Sequence, residues 1–317
     1  MALLKKFSYA PERIADDLYA IPLPLYDGSP VNAYVAIGDD GLWLIDGGLN
    51  TEQCQATLRA GIRSLGFDLA RDVRGLLVTH GHNDHVGAAE TVLQAGGELL
   101  AHRLETTEGR HFGFDGKWLE RHGLPQDARG DGWRPFVWPE PTRLLEDGDE
   151  LQCGSLRLRV VWCPGHTPGL VCLYEPQRRL LFTTDHVMRR APAPVAVRND
   201  SAENPLADYL GSVAKLKALD VHSVLPGHGR PFHHLRERLG QIEHDIENQL
   251  QTILERLRRG PATAYELVQE LSALRDRRPM ADRYQVSLVL ARLRFLEHRG
   301  KLDQIETEST IRYALAG

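Results

Sequence analysis

Cysteine and long apolar runs are what this chain most lacks. Its 317 residues hold four cysteines, Cys54, Cys153, Cys163 and Cys172, with no Cys-x-x-Cys pair, so neither a disulfide framework nor a cysteine zinc site is indicated. No stretch approaches the roughly 20 apolar residues of a membrane-spanning helix. The opening Met1-Ala2-Leu3-Leu4-Lys5-Lys6-Phe7 has no apolar signal-peptide core. A cytoplasmic, reduced protein without membrane association is expected. A basic surplus is missing as well. Lys and Arg number 38 against 43 Asp and Glu, a formal net charge of −5, which gives no general pull toward nucleic acid or an anionic membrane. The length suits one sizeable core plus a smaller second domain.

What the chain does have is a dense cluster of histidine. Residues 79–87 read Thr79-His80-Gly81-His82-Asn83-Asp84-His85-Val86-Gly87, directly after the apolar run Gly75–Val78. A strand ending in such a loop projects three imidazoles and a carboxylate into one small volume, and these are the ligands that borderline divalent ions such as zinc prefer. Three further motifs follow apolar, β-like runs. Leu156–Val161 leads into Cys163-Pro164-Gly165-His166-Thr167-Pro168-Gly169, Leu180–Phe182 into Thr183-Thr184-Asp185-His186, and Val221–Leu225 into Pro226-Gly227-His228-Gly229.

The pattern His-x-His-x-Asp-His, followed in order by the other three motifs, resembles the metallo-β-lactamase superfamily over about the first three quarters of the chain. The resemblance implies an α/β fold, the αββα sandwich of that superfamily. It also implies that His80, His82 and His166 hold one metal ion and that Asp84, His85 and His228 hold a second, with Asp185 bridging. Zinc is the expected metal, with manganese or iron as alternatives. Val31–Tyr34 and Trp43–Gly48 resemble the superfamily's opening hairpin and its Asp-x-Gly turn. Asp46 is expected to brace a ligand histidine rather than to be a ligand. Two positions depart from the common pattern. Leu170 stands where many relatives have histidine, and Thr184 stands where many have glycine and is expected to narrow the pocket.

Around these motifs the chain alternates β and α signals. Asp17–Leu25 and Ser29–Ile37 read as paired strands. Thr51–Leu65 and Ala88–Ala95 read as helices, stopped by Gly66 and by Gly96-Gly97. Residues 102–140, rich in aromatic and charged side chains and including His111, form an inserted segment. A lid and a surface helical hairpin both remain open for it. Residues 186–204 are irregular and follow Asp185 directly, so they are expected to wall the site, with His186, Arg189, Arg190 and His111 as candidate substrate contacts.

A composition change places the end of the catalytic domain at residue 235, with a second domain over 236–317. Leu239, Ile242, Ile246, Leu250, Ile253 and Leu257 form one stripe of a long helix that Gly260-Pro261 stops. Thr263 and Glu266 make a capping box ahead of a helix over Glu266–Leu274. Arg283–Arg299 reads as a third helix, and Lys301–Glu306 with Thr310–Leu315 as a hairpin. This order is similar to a winged helix, and the expected tail is a small winged-helix-like α+β domain. From Arg236 to Gly317 there are 14 Lys and Arg against 13 Asp and Glu, which disfavours nucleic acid as its partner. A contact with the catalytic domain or with a second copy in a homodimer is expected instead.

The chemistry implied by the resemblance is hydrolysis by a hydroxide shared between two metals, with Asp84 orienting it and relaying a proton. The expected partner is a small-molecule ester, thioester or lactone. A single-strand endoribonuclease or phosphodiesterase remains open, and so does a mononuclear iron dioxygenase, because one fold hosts many activities.

Overall fold

The computed structural model describes residues 8–26, 29–106, 115–125, 137–190, 192–199, 201–271, 274 and 282–317. Its framework is a pair of β-sheets stacked face to face. The first holds β1 (Glu12–Ala15), β2 (Leu18–Pro24), β3 (Pro30–Gly38), β4 (Gly41–Ile45), β5 (Val73–Leu77), β6 (Glu98–His102) and β7 (Arg143–Leu145) in sequential order. β1 to β4 are antiparallel, and the expected pairing of the first two long segments appears as β2 on β3, from Leu18 opposite Ala36 to Pro24 opposite Pro30. β4 to β7 are parallel, so their connections must cross over. α1 (Glu52–Ser64), α2 (Leu69–Asp72), α3 (Ala89–Gln94) and α4 (Gly116–Arg121) lie in those connections.

The second sheet holds β8 (Glu150–Cys153), β9 (Leu156–Trp162), β10 (Val171–Glu175), β11 (Leu180–Thr184) and β12 (Ser223–Pro226). Only β11 and β12 run parallel, joined through α5 (Pro205–Lys217). Period-two side-chain alternation sorts the core into layers. On β3, Tyr34 and Ala36 face the second sheet, where Tyr34 meets Phe182 edge to face at 5.1 Å, whereas Ala33 and Val35 face the helices. Leu58, Ile62 and Val92 cover the outer face of the first sheet. Leu206, Tyr209 and Val213 of α5 cover the outer face of the second. The result is an αββα sandwich.

The tail follows as α6 (Leu235–Leu257), α7 (Ala264–Glu270), α8 (Asp282–His298) and a hairpin of β13 (Leu302–Glu306) and β14 (Ile311–Leu315). The expected capping box at Thr263 and Glu266 is present. α7 therefore begins at Ala264, two residues before the expected start, because helical geometry begins directly after its cap. The stripe from Leu239 to Leu257 is buried in one apolar cluster with Leu206, Tyr209 and Leu216 of α5. The tail thus docks on its own catalytic sheet, and the core runs continuously across residue 235.

Of the 102–140 segment, residues 107–114 and 126–136 lie outside the described residues, and His111 with them. The described middle, α4, faces the tail. Arg121 pairs with Glu306, the His122 carbonyl accepts from the Tyr265 amide at 3.1 Å, and Arg294 lies over the Trp118 ring at 5.2 Å. Among the described residues no helix is long and apolar enough to cross a membrane.

Candidate metal centre

Every motif histidine and aspartate sits at or just beyond the C-terminal end of a strand or in a strand-to-strand turn. The loop after β5 carries His80, His82, Asp84 and His85. The β9–β10 turn carries His166, and Asp185 and His228 directly follow β11 and β12. Because β5 belongs to one sheet and β9 to β12 belong to the other, stacking the sheets brings the loops to one edge.

There the donors form two groups, His80, His82, His166 and Asp185 in one and Asp84, His85 and His228 in the other. His82 Nδ1 lies 3.0 Å from both His80 Nε2 and His166 Nε2. Asp84 Oδ2 lies 3.6 Å from His85 Nε2 and 3.3 Å from His228 Nε2. Asp185 turns one oxygen to each group. Its Oδ2 is 3.6 Å from His166 Nε2, and its Oδ1 is 3.6 Å from His85 Nε2 and 3.3 Å from His228 Nε2. Ligands at about 2.0–2.2 Å around a tetrahedral ion stand about 3.3–3.6 Å apart, so the separations made by the two carboxylates are those of donors shaped around a cation. Hydrogen bonding gives the same answer. His85 Nε2 and Asp185 Oδ1 are buried without a hydrogen-bond partner, and such groups call for a compensating ligand. The residues fit divalent metal.

The ligand rings are held from behind. His166 Nδ1 faces the Pro194 carbonyl at 2.9 Å, His228 Nδ1 the Pro30 carbonyl at 3.2 Å, and His85 Nδ1 the Asp46 carboxylate at 2.8 Å. Each arrangement puts the ring proton on Nδ1 and leaves the Nε2 lone pair for the centre. Asp46 also accepts from the Thr79 amide at 2.9 Å and hydroxyl at 2.8 Å. It is a brace outside both donor groups. Glu105, buried, does the same for two loops at once, accepting from the Gly81 amide at 2.6 Å and the Gly169 amide at 2.7 Å. Asp46 and Thr184 both have left-handed backbone, φ 61° and 43°. For a β-branched threonine this is strained, and strain of this kind concentrates where a structure holds functional groups. Gly227 leaves no room for a side chain, since a Cβ there would lie 2.6 Å from Asp185 Oδ1.

Electrostatics divides the two groups. Burial pushes the His80 and His82 imidazoles well below their ordinary value and His166 to about 4, so all three are neutral and free to donate. Burial also pulls on His85, but Asp46, Asp84 and Asp185 outweigh it and raise it to about 9; the same aspartates raise His228. In turn, His85 and His228 overcome the burial of Asp84 and Asp185 and hold both carboxyls below the usual carboxylate range. A cation among these carboxylates would take over the role of the two protons.

The remaining candidates fall elsewhere. His186 is fully buried with its ring against Tyr209 at 4.5 Å and faces the core rather than a substrate space. The apolar Val187 and Met188 beside it draw the segment inward. Arg189 and Arg190 are exposed at the surface. Thr184 does not narrow a pocket, because its hydroxyl is turned into the brace, 2.8 Å from that of Thr79. Leu170 is core, and all four cysteines are buried and free. Sequence reasoning missed Glu105 and Arg198. Arg198 points Nη1 at His82 Nε2 at 2.7 Å and donates through Nη2 to the His166 carbonyl at 2.9 Å. The apolar run Val195-Ala196-Val197, which buries the segment just before it, was the available signal. Glu105 had none, since only the fold brings it to Gly81 and Gly169.

Residues 26–228 match the family model of the metallo-beta-lactamase superfamily. An acyl-coenzyme A thioesterase (MBLAC2) of Homo sapiens is 28% identical over 239 residues, 71% of this chain and 82% of that protein. A probable metallo-hydrolase (YqjP) of Bacillus subtilis (strain 168) is 24% identical over 317 residues, 93% of this chain and 94% of its own. Among solved structures, a metallo-beta-lactamase family protein of Thermus thermophilus superposes with a TM-score of 0.83 at 27% identity, covering 96% of this chain and all of that one. The chain belongs to the metallo-beta-lactamase superfamily and has the metal-binding site of a hydrolase.

Proposed function

We propose that the protein hydrolyses a small acyl thioester with two divalent metal ions, most simply zinc. His80, His82 and His166 would hold one ion, Asp84, His85 and His228 the other, with Asp185 between them. The observation that carries this reading is Asp185, whose two oxygens face the two donor groups separately. Ions bound there would lower the pKa of a bound water from about 15.7 toward about 7 and would polarise a carbonyl. Asp84 is the proton handler. Its Oδ2 is engaged with His85 and His228, and the partly exposed carboxylate would take a proton from the attacking water and pass it on. A thiol has an ordinary pKa near 8.5, so it leaves without a strong acid, which suits a site whose proton carrier is one low-pKa carboxylate. The similarity to the human acyl-coenzyme A thioesterase supports the same substrate class.

The test is a substrate panel of acyl thioesters, lactones, phosphodiesters and single-stranded RNA offered to metal-loaded protein. Thioester turnover should exceed the rest, and Asp84→Ala should lower it by about 10²–10⁴ while the circular dichroism spectrum stays native. RNA cleavage above thioester cleavage, or near-normal turnover by Asp84→Ala, would overturn the proposal.

A further inference from the structure

The oxygens that stand behind the ligand rings have different supports. Pro30, whose carbonyl lies behind His228, belongs to β3, and Asp46, behind His85, directly follows β4. The first sheet fixes both. Pro194, whose carbonyl lies 2.9 Å from His166 Nδ1, sits in a stretch that is neither helix nor strand. No ladder holds its backbone, so other partners must.

Those partners come from the tail. Arg292 of α8 donates from Nη1 to the Val195 carbonyl at 3.0 Å, and the Ser287 carbonyl of α8 accepts from the Val197 amide at 3.1 Å. The Val195 carbonyl is one peptide along from that of Pro194. Proline rings at 192 and 194 fix two φ angles in this stretch, so an anchor at Val195 also aims the Pro194 carbonyl. Arg292 is itself tied down. Its Nε donates to Gln249 Oε1 of α6 at 3.0 Å, and its Nη1 also reaches the Leu288 carbonyl, one turn back, at 2.9 Å.

The position does not favour a charge in itself. Arg292 is 7% exposed, and among the described residues the partners of its guanidinium are neutral oxygens. Burying a charge without an opposite charge costs stability, and an apolar side chain could fill the space without that cost. What arginine supplies and methionine does not is a rigid donor fork, which here joins α6, α8 and the stretch behind His166.

We propose that Arg292 is a positioning residue of the metal centre, holding the Pro194 carbonyl behind His166 through the Val195 peptide, so that the tail sets the metal affinity of one donor group and not of the other. His166 belongs to the group of His80, His82 and Asp185. In the other group, His228 and His85 take their rear support from Pro30 and Asp46. The role rests on the metal reading of the site and not on the choice of substrate.

Zinc affinity of the full chain, measured by chelator competition, tests it. After the wild type, His228→Ala leaves the first group intact and His166→Ala leaves the second. Added to His228→Ala, Arg292→Met should weaken zinc about tenfold or more, the usual effect of losing a partner behind a ligand. Added to His166→Ala, it should change nothing. Arg292→Lys, which keeps the charge and a donor, should recover part of the loss. Leu257→Ala removes a buried side chain of the same tail outside these contacts, and it should leave the first group unchanged. If Arg292→Met does not fold, Gln249→Leu takes its place, because it removes the acceptor at Nε and should weaken the first group alone. An unchanged first group, an equal loss at both groups, or an equal loss from Leu257→Ala overturns the role. One zinc ion in the wild type, bound with dependence on Arg292, overturns the two-ion reading and leaves the role standing. No bound zinc overturns both.

Discussion

Glu105 is the residue on which two ligand loops depend. One buried carboxylate accepts the Gly81 amide from the loop of His80 and His82, and the Gly169 amide from the turn of His166. Removing partners behind metal ligands typically costs 10–100-fold in metal affinity. Glu105→Ala should therefore raise the zinc dissociation constant by about that factor while the sheets stay folded, and unchanged affinity in a chelator competition would refute the role. A second residue-scale test concerns acid. Burial holds the His122 imidazole down at about 4, against about 6.5 in the unfolded chain. A group depressed in this way is neutral when folded, so its contribution to stability is full above pH 6.5 and declines as pH falls toward 4. Between pH 7 and pH 5 the unfolded chain takes up the proton first, which costs the folded state about 2 kcal/mol. His122→Gln should flatten that part of the profile in urea titrations at the two pH values. An undiminished drop in the variant would show that other groups cause it.

At the scale of elements, the helices of the tail hold the irregular stretch that follows Asp185. Arg238 of α6 donates to the Met188 carbonyl at 2.8 Å. Arg292 of α8 donates to the Val195 carbonyl at 3.0 Å, and the Ser287 carbonyl accepts from the Val197 amide at 3.1 Å. This grip reaches to within one residue of Arg198. Arg292→Met would leave the buried Val195 carbonyl without that donor, at a cost of about 1–3 kcal/mol. The urea midpoint should fall accordingly, and a midpoint equal to wild type would show that the carbonyl finds another donor. Elements of this kind explain what was legible in the sequence. Strands and helices announced themselves through period and caps, as with β2 and β3 or the Thr263 box, and the ligand motifs announced themselves through composition. The arginines that matter could not be read this way. Arg189 and Arg190 were nearest to Asp185 in sequence but are exposed, whereas Arg198 reaches the centre because buried Val195, Ala196 and Val197 turn the backbone inward. Which residue of an irregular stretch points at a site depends on packing against distant helices, and no local period encodes that.

Across the whole molecule, the two sheets and the tail act as one support for a single edge. The core does not break at residue 235, since Leu239 to Leu257 share an apolar cluster with α5 and the outer face of the second sheet. What such a scaffold must hold is the pair of donor groups divided by Asp185, and the most direct test is the metal content of the purified protein. Elemental analysis after equilibration with zinc and removal of free ion should give close to two divalent ions per chain. Asp185→Ala should lose both together. Well under one ion per chain in the wild type, or one iron per chain with the second group empty, would contradict the account.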